Sequence, residues 1–464
     1  MIRPLPAALL AIAAITALRL AVNAVADLPL FLDEAQYWLW GQEPAFGTFS
    51  KPPLIGWAIG LSTALGGDGP FWVRLPAVLG HAGAAIALCF VARVLRPDLP
   101  LAVWAGAAYA SLPGVSALSL FVSTDDLLLP ATALALLAYL RLRAGAGAGW
   151  VLILGAALGL GLLAKYAMVY ILVLLFALQA VPGWRVPWPK LAAAAAIALF
   201  ILSPNLIWNA QNGWITFAHT SDNAGWAGIA WNWSAVGEFI GTQLIALGPV
   251  LAFAYIAALW WRTPARSFLA ALSLPVFIGV GLQALINDAH GNWAAPAFAA
   301  ASVLGTLWLA QKGRNWLGIG LSVNAALGIT LALAPLAADH LRFGGRGLFD
   351  RLSGTERFAA EAITAAQGAG LSTLIADERA ALGLLAYYAK PHGLSVRAWP
   401  PAGGPRNHYE MTRPAMPEHL PALYVGRRDL PADCAAEPIG TVQFEKGLMR
   451  GAPVAFVRIG AGCF

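Results

Sequence analysis

Long apolar runs with almost no charge alternate with short polar loops over residues 1–336. A helix of roughly 20 apolar residues spans the hydrocarbon of a bilayer, so most of these runs predict membrane crossings. The run 54–66 has only 13 residues, too few to cross, and predicts an interfacial helix in the first outer loop. We place eleven crossings, at approximately residues 5–26, 72–92, 100–122, 127–140, 149–164, 167–181, 191–208, 236–260, 268–286, 293–310 and 316–336.

Lysine and arginine are distributed unevenly among the loops. Eleven of them fall in one set of alternate loops, whereas the other set holds only Lys51, Arg74 and Lys165. Because cytoplasmic loops retain basic residues, this asymmetry predicts a cytoplasmic amino terminus. An odd number of crossings then places residues 337–464 on the far side of the membrane. The chain therefore divides into an all-α membrane domain, residues 1–336, and an extracytoplasmic domain, residues 337–464.

The second domain has the pattern of a small α/β fold. Residues 371–376, 421–425 and 453–459 predict strands, and residues 378–390 predict a helix that ends before a proline. Cys434 and Cys463 both lie here, where a disulfide is chemically permitted; two buried thiols are the alternative. The polar segment 405–410 is suited to touch an acceptor or the membrane core, with a purely structural lid as the alternative.

Composition agrees with a membrane protein and excludes several functional classes. Hydrophobic residues make up 59% of the chain and charged residues 11%, and the mean hydropathy is +0.68, beyond what a soluble domain needs. The net charge of +6 is spread over both domains, so no nucleic-acid-binding patch is predicted. Metal-ligand spacings and phosphate-binding glycine loops are absent from the sequence.

The remaining polar residues of the membrane domain gather on one side. The following residues map to the outer loops or to the outer ends of the crossings: Asp33, Glu34, Lys51, Asp125, Asp126, Lys165, His219, Asp222, Asp288 and His290. Carboxylates contribute little to membrane topology, so this one-sidedness predicts a polar site at the outer face.

Helix lengths indicate how far below the membrane surface this site lies. The run 127–140 has 14 residues and rises about 21 Å, less than the roughly 30 Å of bilayer hydrocarbon. Asp125 and Asp126, which precede it, should therefore lie below the membrane surface. The run 149–181 must turn near Lys165 and Tyr166, which places Lys165 at the tip of a shallow hairpin. Charges at such a depth usually line a substrate path.

Each of these residues also has a simpler explanation. Asp33 and Glu34 suit a helix amino terminus, where carboxylates cap the backbone and interact with the helix dipole. Lys51, before two prolines, can hold a lipid headgroup, and Lys165 can be a lysine that only fixes topology. The loop around His219 and Asp222 is consistent with a plain surface loop.

Several short motifs together resemble glycosyltransferase family 39 and its bacterial aminoarabinose-transferase relatives over roughly residues 1–340. They are Leu32-Asp33-Glu34, Ser50-Lys51-Pro52-Pro53-Leu54, Ser123-Thr124-Asp125 and Ala164-Lys165-Tyr166. The resemblance implies the GT-C fold in the bacterial inner membrane, a catalytic aspartate in the first outer loop and a polyprenyl-phosphate sugar donor.

Two further stretches, 204–213 and 289–296, resemble the branch that decorates lipopolysaccharide with uronic acid or other sugars. One position departs from the aminoarabinose transferases, which carry an arginine three residues after the aspartate. Gln36 stands there in this chain, so their phosphate contacts cannot all be transferred to it.

Sugar transfer from such a donor needs a base for the acceptor proton and positive charge for the departing phosphate. We expect Asp33 to be the base, Lys51 and Lys165 to bind the phosphate, and Asp125 and Glu34 to orient a lysine or the acceptor. Tyr37, Tyr166, Asp126, His219, Asp222 and His290 are candidate substrate-binding residues. Direct displacement would invert the anomeric centre; no nucleotide cofactor is needed, and a divalent metal is left open.

The predicted function is therefore transfer of a sugar to lipid A, lipopolysaccharide or another envelope glycan. Two alternatives remain. A protein hydroxyl could be the acceptor, as in protein mannosyltransferases, or the chain could be a lipid or sugar transporter. Transporters place their ionisable groups near the membrane midplane between repeated halves, whereas here these groups gather at one face.

Overall fold

The computed structural model describes residues 4–225, 231–287, 289–338, 340–343 and 346–464. The described chain is mostly helical up to residue 338 and ends in a mixed α/β region. The helices before residue 338 are α1 (Pro4–Val25), α2 (Leu32–Gln42), α3 (Leu54–Gly66), α4 (Pro70–Leu95), α5 (Ala105–Ala110), α6 (Pro113–Leu118), α7 (Asp125–Arg143), α8 (Ala148–Ala164), α9 (Met168–Ala177), α10 (Trp188–Gln211), α11 (Ile215–Ala224), α12 (Trp233–Leu247), α13 (Pro249–Ala258), α14 (Pro264–Ala271), α15 (Leu274–Ile286), α16 (Pro296–Lys312) and α17 (Arg314–Leu333).

Within the described ranges, five helical segments are long and apolar enough to cross a membrane, and the bent pair α12–α13 makes a sixth. They make the chain a multi-pass membrane protein. The five segments are Pro4–Val25, Pro70–Leu95, Trp188–Gln211, Pro264–Ile286 and Arg314–Ala337. Our eleven crossings are not reproduced as eleven long helices, because several of the predicted runs form shorter or broken helices.

Two of the predicted crossings break at a proline. The run 100–122 separates into a short 3₁₀ turn, α5 and α6, because Leu112 takes an extended backbone conformation before Pro113. The run 236–260 bends by 104° between α12 and α13, where Gly248 has a φ of +78° and precedes Pro249. Proline cannot donate to the preceding turn, and a positive φ is readily adopted only by glycine.

The short helix and the helix break predicted from the sequence are both present. Helix α3 covers residues 54–66, as expected for the short apolar run. The chain turns after α8, and Lys165 is the residue that ends this helix. Helices α8 and α10 approach closely because glycines face α10: a Cβ added at Gly155 or Gly159 would lie within 2.8 Å of a neighbouring isoleucine carbon. Small residues allow the same close approach in many membrane helix pairs.

The carboxyl-terminal region contains a five-stranded sheet in the order β4-β3-β5-β7-β6. Strands β3, β4 and β5 are parallel, whereas β7 runs antiparallel to β5 and β6. The elements are β1 (Arg342–Phe343), β2 (Arg346–Gly347), α18 (Thr355–Gly368), β3 (Thr373–Ala376), α19 (Arg379–Tyr388), β4 (Ser395–Ala398), α20 (His408–Thr412), β5 (Ala422–Gly426), β6 (Ala436–Val442) and β7 (Val454–Ile459).

The three predicted strands and the predicted helix are confirmed as β3, β5, β7 and α19. The buried strands β3 and β5 gave the clearest apolar signal, since every one of their residues is buried. Strand β6 was not predicted because six of its seven residues are exposed. Cys434 and Cys463 form a disulfide, which resolves the alternative left open by the sequence.

This region packs directly on the first helices of the membrane region through α19 and α2. The rings of Trp38 and Tyr387 meet edge to face at 4.9 Å, and the Tyr387 hydroxyl donates to the Asp68 carbonyl over 2.7 Å. Lys390 forms an ion pair with Asp68 at 3.0 Å. The sheet region and the helical region therefore share one packed interface.

Candidate active site

A cavity of about 440 Å³ lies where α2, the loop before α3, the start of α7 and the α8–α9 turn meet the carboxyl-terminal region. Seven of the residues predicted from the sequence line this cavity. They are Asp33, Tyr37, Lys51, Asp125, Lys165, His219 and His290. Segments separated widely in the sequence thus bring the predicted polar residues together in one space.

Asp33 lies in the first turn of α2, with its side chain 42% exposed. Its carboxylate accepts a hydrogen bond from the guanidinium of Arg379, which belongs to α19. The two form an ion pair. The exposed fraction of this carboxylate leaves room for a reacting group from the cavity.

Lys165 and Asp125 form a second ion pair across the cavity wall. The Lys165 ammonium donates to both carboxylate oxygens of Asp125, over 2.8 Å and 3.0 Å. Asn292 donates to the Oδ2 atom of Asp125 over 2.8 Å. Asp125 is fully buried, whereas the Lys165 side chain keeps 14% exposure. The cation of this pair is therefore the partner that an entering anion can reach.

Lys51 differs from Lys165 because its ammonium has no carboxylate within ion-pair distance among the described residues. Its backbone is fixed: Thr48 donates a hydrogen bond to the Lys51 carbonyl over 2.8 Å, and Thr216 donates to the Thr48 carbonyl over 2.6 Å. Burial lowers the pKa of Lys51, and the nearby charge of Lys165 lowers it further. A bound anion would relieve both effects.

Burial also lowers the pKa of His219, which lies on α11 and faces the positive charges of Lys51 and Arg379. Its ring contacts Phe49 at 5.2 Å between ring centroids. A histidine with a lowered pKa is neutral at neutral pH and can accept or donate one hydrogen bond. His219 is therefore a neutral polar group in a cavity that is otherwise rich in cations.

Glu34, which we expected to share in catalysis, does not line the cavity. Its side chain is 1% exposed and pairs with Arg74, which is 2% exposed. The carboxylate accepts two hydrogen bonds from Arg74 and one each from the backbone N–H groups of Phe31 and Val122. Glu34 thus lies in a closed position in which four hydrogen bonds from protein groups hold its carboxylate.

Asp126 does not line the cavity either. It is fully buried, its Oδ1 atom lies 2.8 Å from the Nε2 atom of His81, and its Oδ2 atom accepts from the Ser123 N–H. The other nitrogen of His81 lies 2.9 Å from the Tyr109 hydroxyl. Asp126 therefore connects the turn that carries Asp125 to α4.

Tyr166 and Asp222 also lie outside the cavity lining. The Tyr166 hydroxyl donates to Asn205 over 2.8 Å, and its ring stacks on Phe217 at 4.5 Å. Asp222 lies on the exposed face of α11. Asp288 lies outside the described residues. Of the substrate-binding candidates, Tyr37, His219 and His290 line the cavity.

The carboxyl-terminal region contributes four lining residues: Arg379, Arg406, Asn407 and His408. The last three come from segment 405–410, for which the sequence left contact with substrate open. Burial and the charge of Arg413 lower the pKa of His408 to about 4. Arg379 was missed entirely, because a lone arginine at the start of a predicted helix carries no signal of a partner 346 residues away.

The cavity holds two carboxylates, Asp33 and Asp125, and three cations close to them, Lys51, Lys165 and Arg379. Such a site can accept an anion and present a base beside it. Within the described ranges, no three His, Cys, Asp or Glu side chains are grouped so that they could hold a metal ion.

Comparisons with known proteins show which sequences and folds this chain resembles. Residues 50–208 match the family model described as dolichyl-phosphate-mannose-protein mannosyltransferase. The chain is 32% identical over 445 residues to the lipid A galacturonosyltransferase RgtD of Rhizobium johnstonii, covering 93% of each protein. The structure resembles apo ArnT from Cupriavidus metallidurans with a TM-score of 0.67 at 14% identity, covering 97% of both chains. ArnT bound to undecaprenyl phosphate gives a TM-score of 0.57 at 17% identity, covering 83% of this chain and 77% of that one.

Proposed function

We propose a reaction for this chain from one premise: it belongs to the membrane glycosyltransferases of family 39. The enzyme transfers a sugar from a polyprenyl-phosphate donor to lipid A or a related envelope glycolipid. The observation that carries this proposal is that Asp33, Lys51 and Lys165 line one cavity, with the carboxylate of Asp33 partly exposed. One side chain can take a proton there while two cations stabilise a phosphate.

The bond changes follow from these positions. The acceptor hydroxyl gives its proton to Asp33, and its oxygen forms a new bond to the anomeric carbon. The bond between that carbon and the phosphate oxygen breaks, and the electron pair stays on the phosphate. A single displacement of this kind inverts the anomeric centre, since the acceptor attacks opposite to the leaving group.

The two lysines have different parts in holding the phosphate. Lys51 has no carboxylate partner among the described residues, so it meets the donor first. Lys165 is held by Asp125 at 2.8 Å until the phosphate competes for its ammonium. Charges in a recessed site are screened less than in water, so Asp125 and the phosphate both attract this ammonium strongly.

An apolar groove supports the lipid character of the donor. A cavity of about 260 Å³ lies between α8, α9 and α10 and is lined almost wholly by leucine, alanine and aromatic side chains. Leu162, on its wall, precedes Lys165 by one turn of α8. Helix α8 therefore carries residues of the apolar groove and, at its carboxyl-terminal end, the lysine assigned to the phosphate, so the groove is our candidate site for the polyprenyl chain.

The proposal includes the orientation predicted from the charge distribution. The amino terminus faces the cytoplasm, residues 1–336 form the catalytic membrane domain with eleven passes through the inner membrane, and residues 337–464 lie in the periplasm. The broken helices cross as bent or paired segments. Labelling of single cysteines at Arg143 and Asp429 from either side of sealed vesicles tests this: the two positions should react from opposite sides.

The name of the relative supports a galacturonosyl donor and lipid A as the acceptor. The test is a transfer assay with purified protein in lipid, radiolabelled polyprenyl-phosphate galacturonic acid and lipid A. Label should move to lipid A with wild type and not with Asp33→Ala. Label that enters protein and disappears on protease treatment would assign the alternative acceptor, and no transfer at all would contradict the proposal.

Binding of the donor tests the lysines separately from the chemistry. Lys51→Ala and Lys165→Ala should each weaken binding of polyprenyl phosphate by about tenfold or more, because each removes a charged hydrogen bond to the phosphate. Lys390→Ala, which removes a cation outside the cavity, serves as the control. Unchanged affinity in both cavity variants would exclude the lysines as the phosphate site.

A further inference from the structure

Among the described residues, Arg379 is the one cavity cation that touches the proposed base. It is the first residue of α19, and its Nη2 atom donates to Oδ1 of Asp33. Its Nε atom donates to the side-chain oxygen of Gln36 over 2.7 Å. Asp33 and Gln36 lie one turn apart on α2. The guanidinium therefore bridges two consecutive positions on the same face of that helix.

The backbone that carries Arg379 is fixed independently of this bridge. The preceding residue, Glu378, forms an ion pair with Arg427 at 2.8 Å within the carboxyl-terminal region. Further along α19, a Cβ added at Gly383 would lie 3.1 Å from the Leu32 side chain, so the two helices are in close contact there. Arg379 thus projects from a rigid support toward α2.

Among the described residues, Arg379 is the only ion-pair partner of Asp33. A half-exposed aspartate without a partner samples several rotamers, whereas a planar guanidinium anchored at a second point restricts it. Arg379 makes its two contacts through its Nε and Nη2 atoms. Its side chain lines the cavity and remains 41% exposed. The pair holds one oxygen of Asp33 and leaves the other available.

We propose that Arg379 is a positioning residue for the transfer reaction: it holds the carboxylate of Asp33 toward the acceptor hydroxyl. The inference rests on the proposed function and deepens it. The carboxyl-terminal region then completes the catalytic centre, because it supplies the group that orients the base. Its role goes beyond covering the cavity.

A second ion pair across the same interface provides a matched control. Lys390 and Asp68 are 48% and 42% exposed, close to the 41% and 42% of Arg379 and Asp33. The Arg379 pair joins the first residue of α19 to α2, and the Lys390 pair joins the turn after α19 to the loop between α3 and α4. Lys390 does not line the cavity. Substituting either Arg379 or Lys390 therefore removes an ion pair between the two regions. Only substitution of Arg379 also removes the group that orients Asp33.

The experiment compares steady-state transfer by wild type, Arg379→Gln, Arg379→Lys and Lys390→Ala in lipid. Arg379→Gln should lower kcat about 100-fold, the size expected for a misplaced reacting group, with little change in the KM of the donor. Arg379→Lys should recover part of this loss because it keeps the charge but loses the contact with Gln36. Lys390→Ala should keep kcat close to that of wild type.

A rescue variant separates orientation from folding. In Gln36→Arg/Arg379→Gln the guanidinium is supplied from the neighbouring turn of α2, where it can again reach Asp33, so kcat should rise about tenfold over Arg379→Gln. Equal losses in Arg379→Gln and Lys390→Ala, a loss confined to KM, or no recovery in the double variant would overturn the inference. Failure of wild type to transfer sugar would instead overturn the proposed function.

Discussion

The cavity wall and the buried layer behind it are built from neighbouring residues of the same two segments. In each segment two acids are adjacent, Asp33 with Glu34 and Asp125 with Asp126. The first acid of each doublet lines the cavity and the second does not. Both second acids are buried, Glu34 against Arg74 and Asp126 against His81. Adjacent residues of one chemical type thus belong to different regions.

The difference lies in whether a substrate can reach the bonds of the acid. The bonds of Glu34 and Asp126 connect parts of the protein and are closed to the cavity. Those of Asp33 and Asp125 go to cations that are themselves partly exposed. The buried acids hold parts of the protein together, whereas the proposed reaction assigns contacts with substrate to the acids on the cavity wall.

The largest expected effect is on the cavity side. Asp33→Asn removes the base and should lower kcat by about 100- to 10,000-fold, the usual contribution of a general base, with the thermal stability of the protein unchanged. A transfer assay combined with thermal unfolding in detergent measures both. Glu43→Gln, at the other end of α2 and outside the cavity, is the control. Full activity in Asp33→Asn would show that the acid on the cavity wall is no more important for transfer than the buried acids.

Glu34→Gln should show the opposite behaviour. It leaves the buried guanidinium of Arg74 without its charged partner, and breaking such a pair costs about 3–5 kcal/mol. The yield of folded protein and its unfolding temperature should fall, while kcat per folded molecule stays near that of wild type. If kcat falls with no loss of stability, Glu34 belongs to the catalytic machinery after all.

A smaller effect of the same kind is expected at Asp126. In Asp126→Asn the amide keeps part of the bonding to His81 and Ser123, so the stability should fall by about 1–3 kcal/mol. Thermal unfolding measures the loss, and donor affinity should change little. In Asp125→Asn, by contrast, donor affinity should change because Lys165 loses its resting partner. Identical behaviour of the two variants would contradict their assignment to separate regions.

The smallest expected effect is a pH dependence of donor affinity, which tests the part of Lys51 in the cavity wall. Because burial and Lys165 lower the pKa of Lys51, the ammonium deprotonates at a lower pH than an ordinary lysine. Donor affinity should therefore weaken as the pH rises through this lowered pKa, by up to about tenfold. Lys51→Arg stays protonated and should flatten the profile. A wild-type profile as flat as that of the arginine variant would exclude Lys51 from donor binding.

Four of the predicted site residues could be singled out from the sequence because charge is scarce in the membrane region. Asp33, Lys51, Asp125 and Lys165 stood out against apolar surroundings, and the structure places all four around one cavity. The sequence could not separate Asp33 from Glu34, since burial depends on Arg74, 40 residues further along the chain. Periodicity alone decides only which residues share a helix face.

Long-range contacts account for the other differences. With Gln36, the first outer loop lacks the arginine that the aminoarabinose transferases carry at this position. The guanidinium of Arg379, 343 residues further along the chain, donates a hydrogen bond to the Gln36 side chain. The breaks at Pro113 and Pro249 could have been anticipated from proline chemistry, but apolar composition alone merged each pair of helices into one crossing. Pairings between distant segments are the information that a single sequence does not contain.

The bridge between Asp33 and Arg379 has a consequence for the timing of synthesis. A ribosome makes the aspartate 346 residues before the arginine, a delay of roughly 20–70 s at ordinary translation rates. Late in that interval the nascent chain already contains Asp33, Lys51 and Lys165 but still lacks Arg379. On the proposed role of Arg379, full activity is reached only when the carboxyl-terminal region has been made and has folded, so incomplete chains transfer sugar far more slowly.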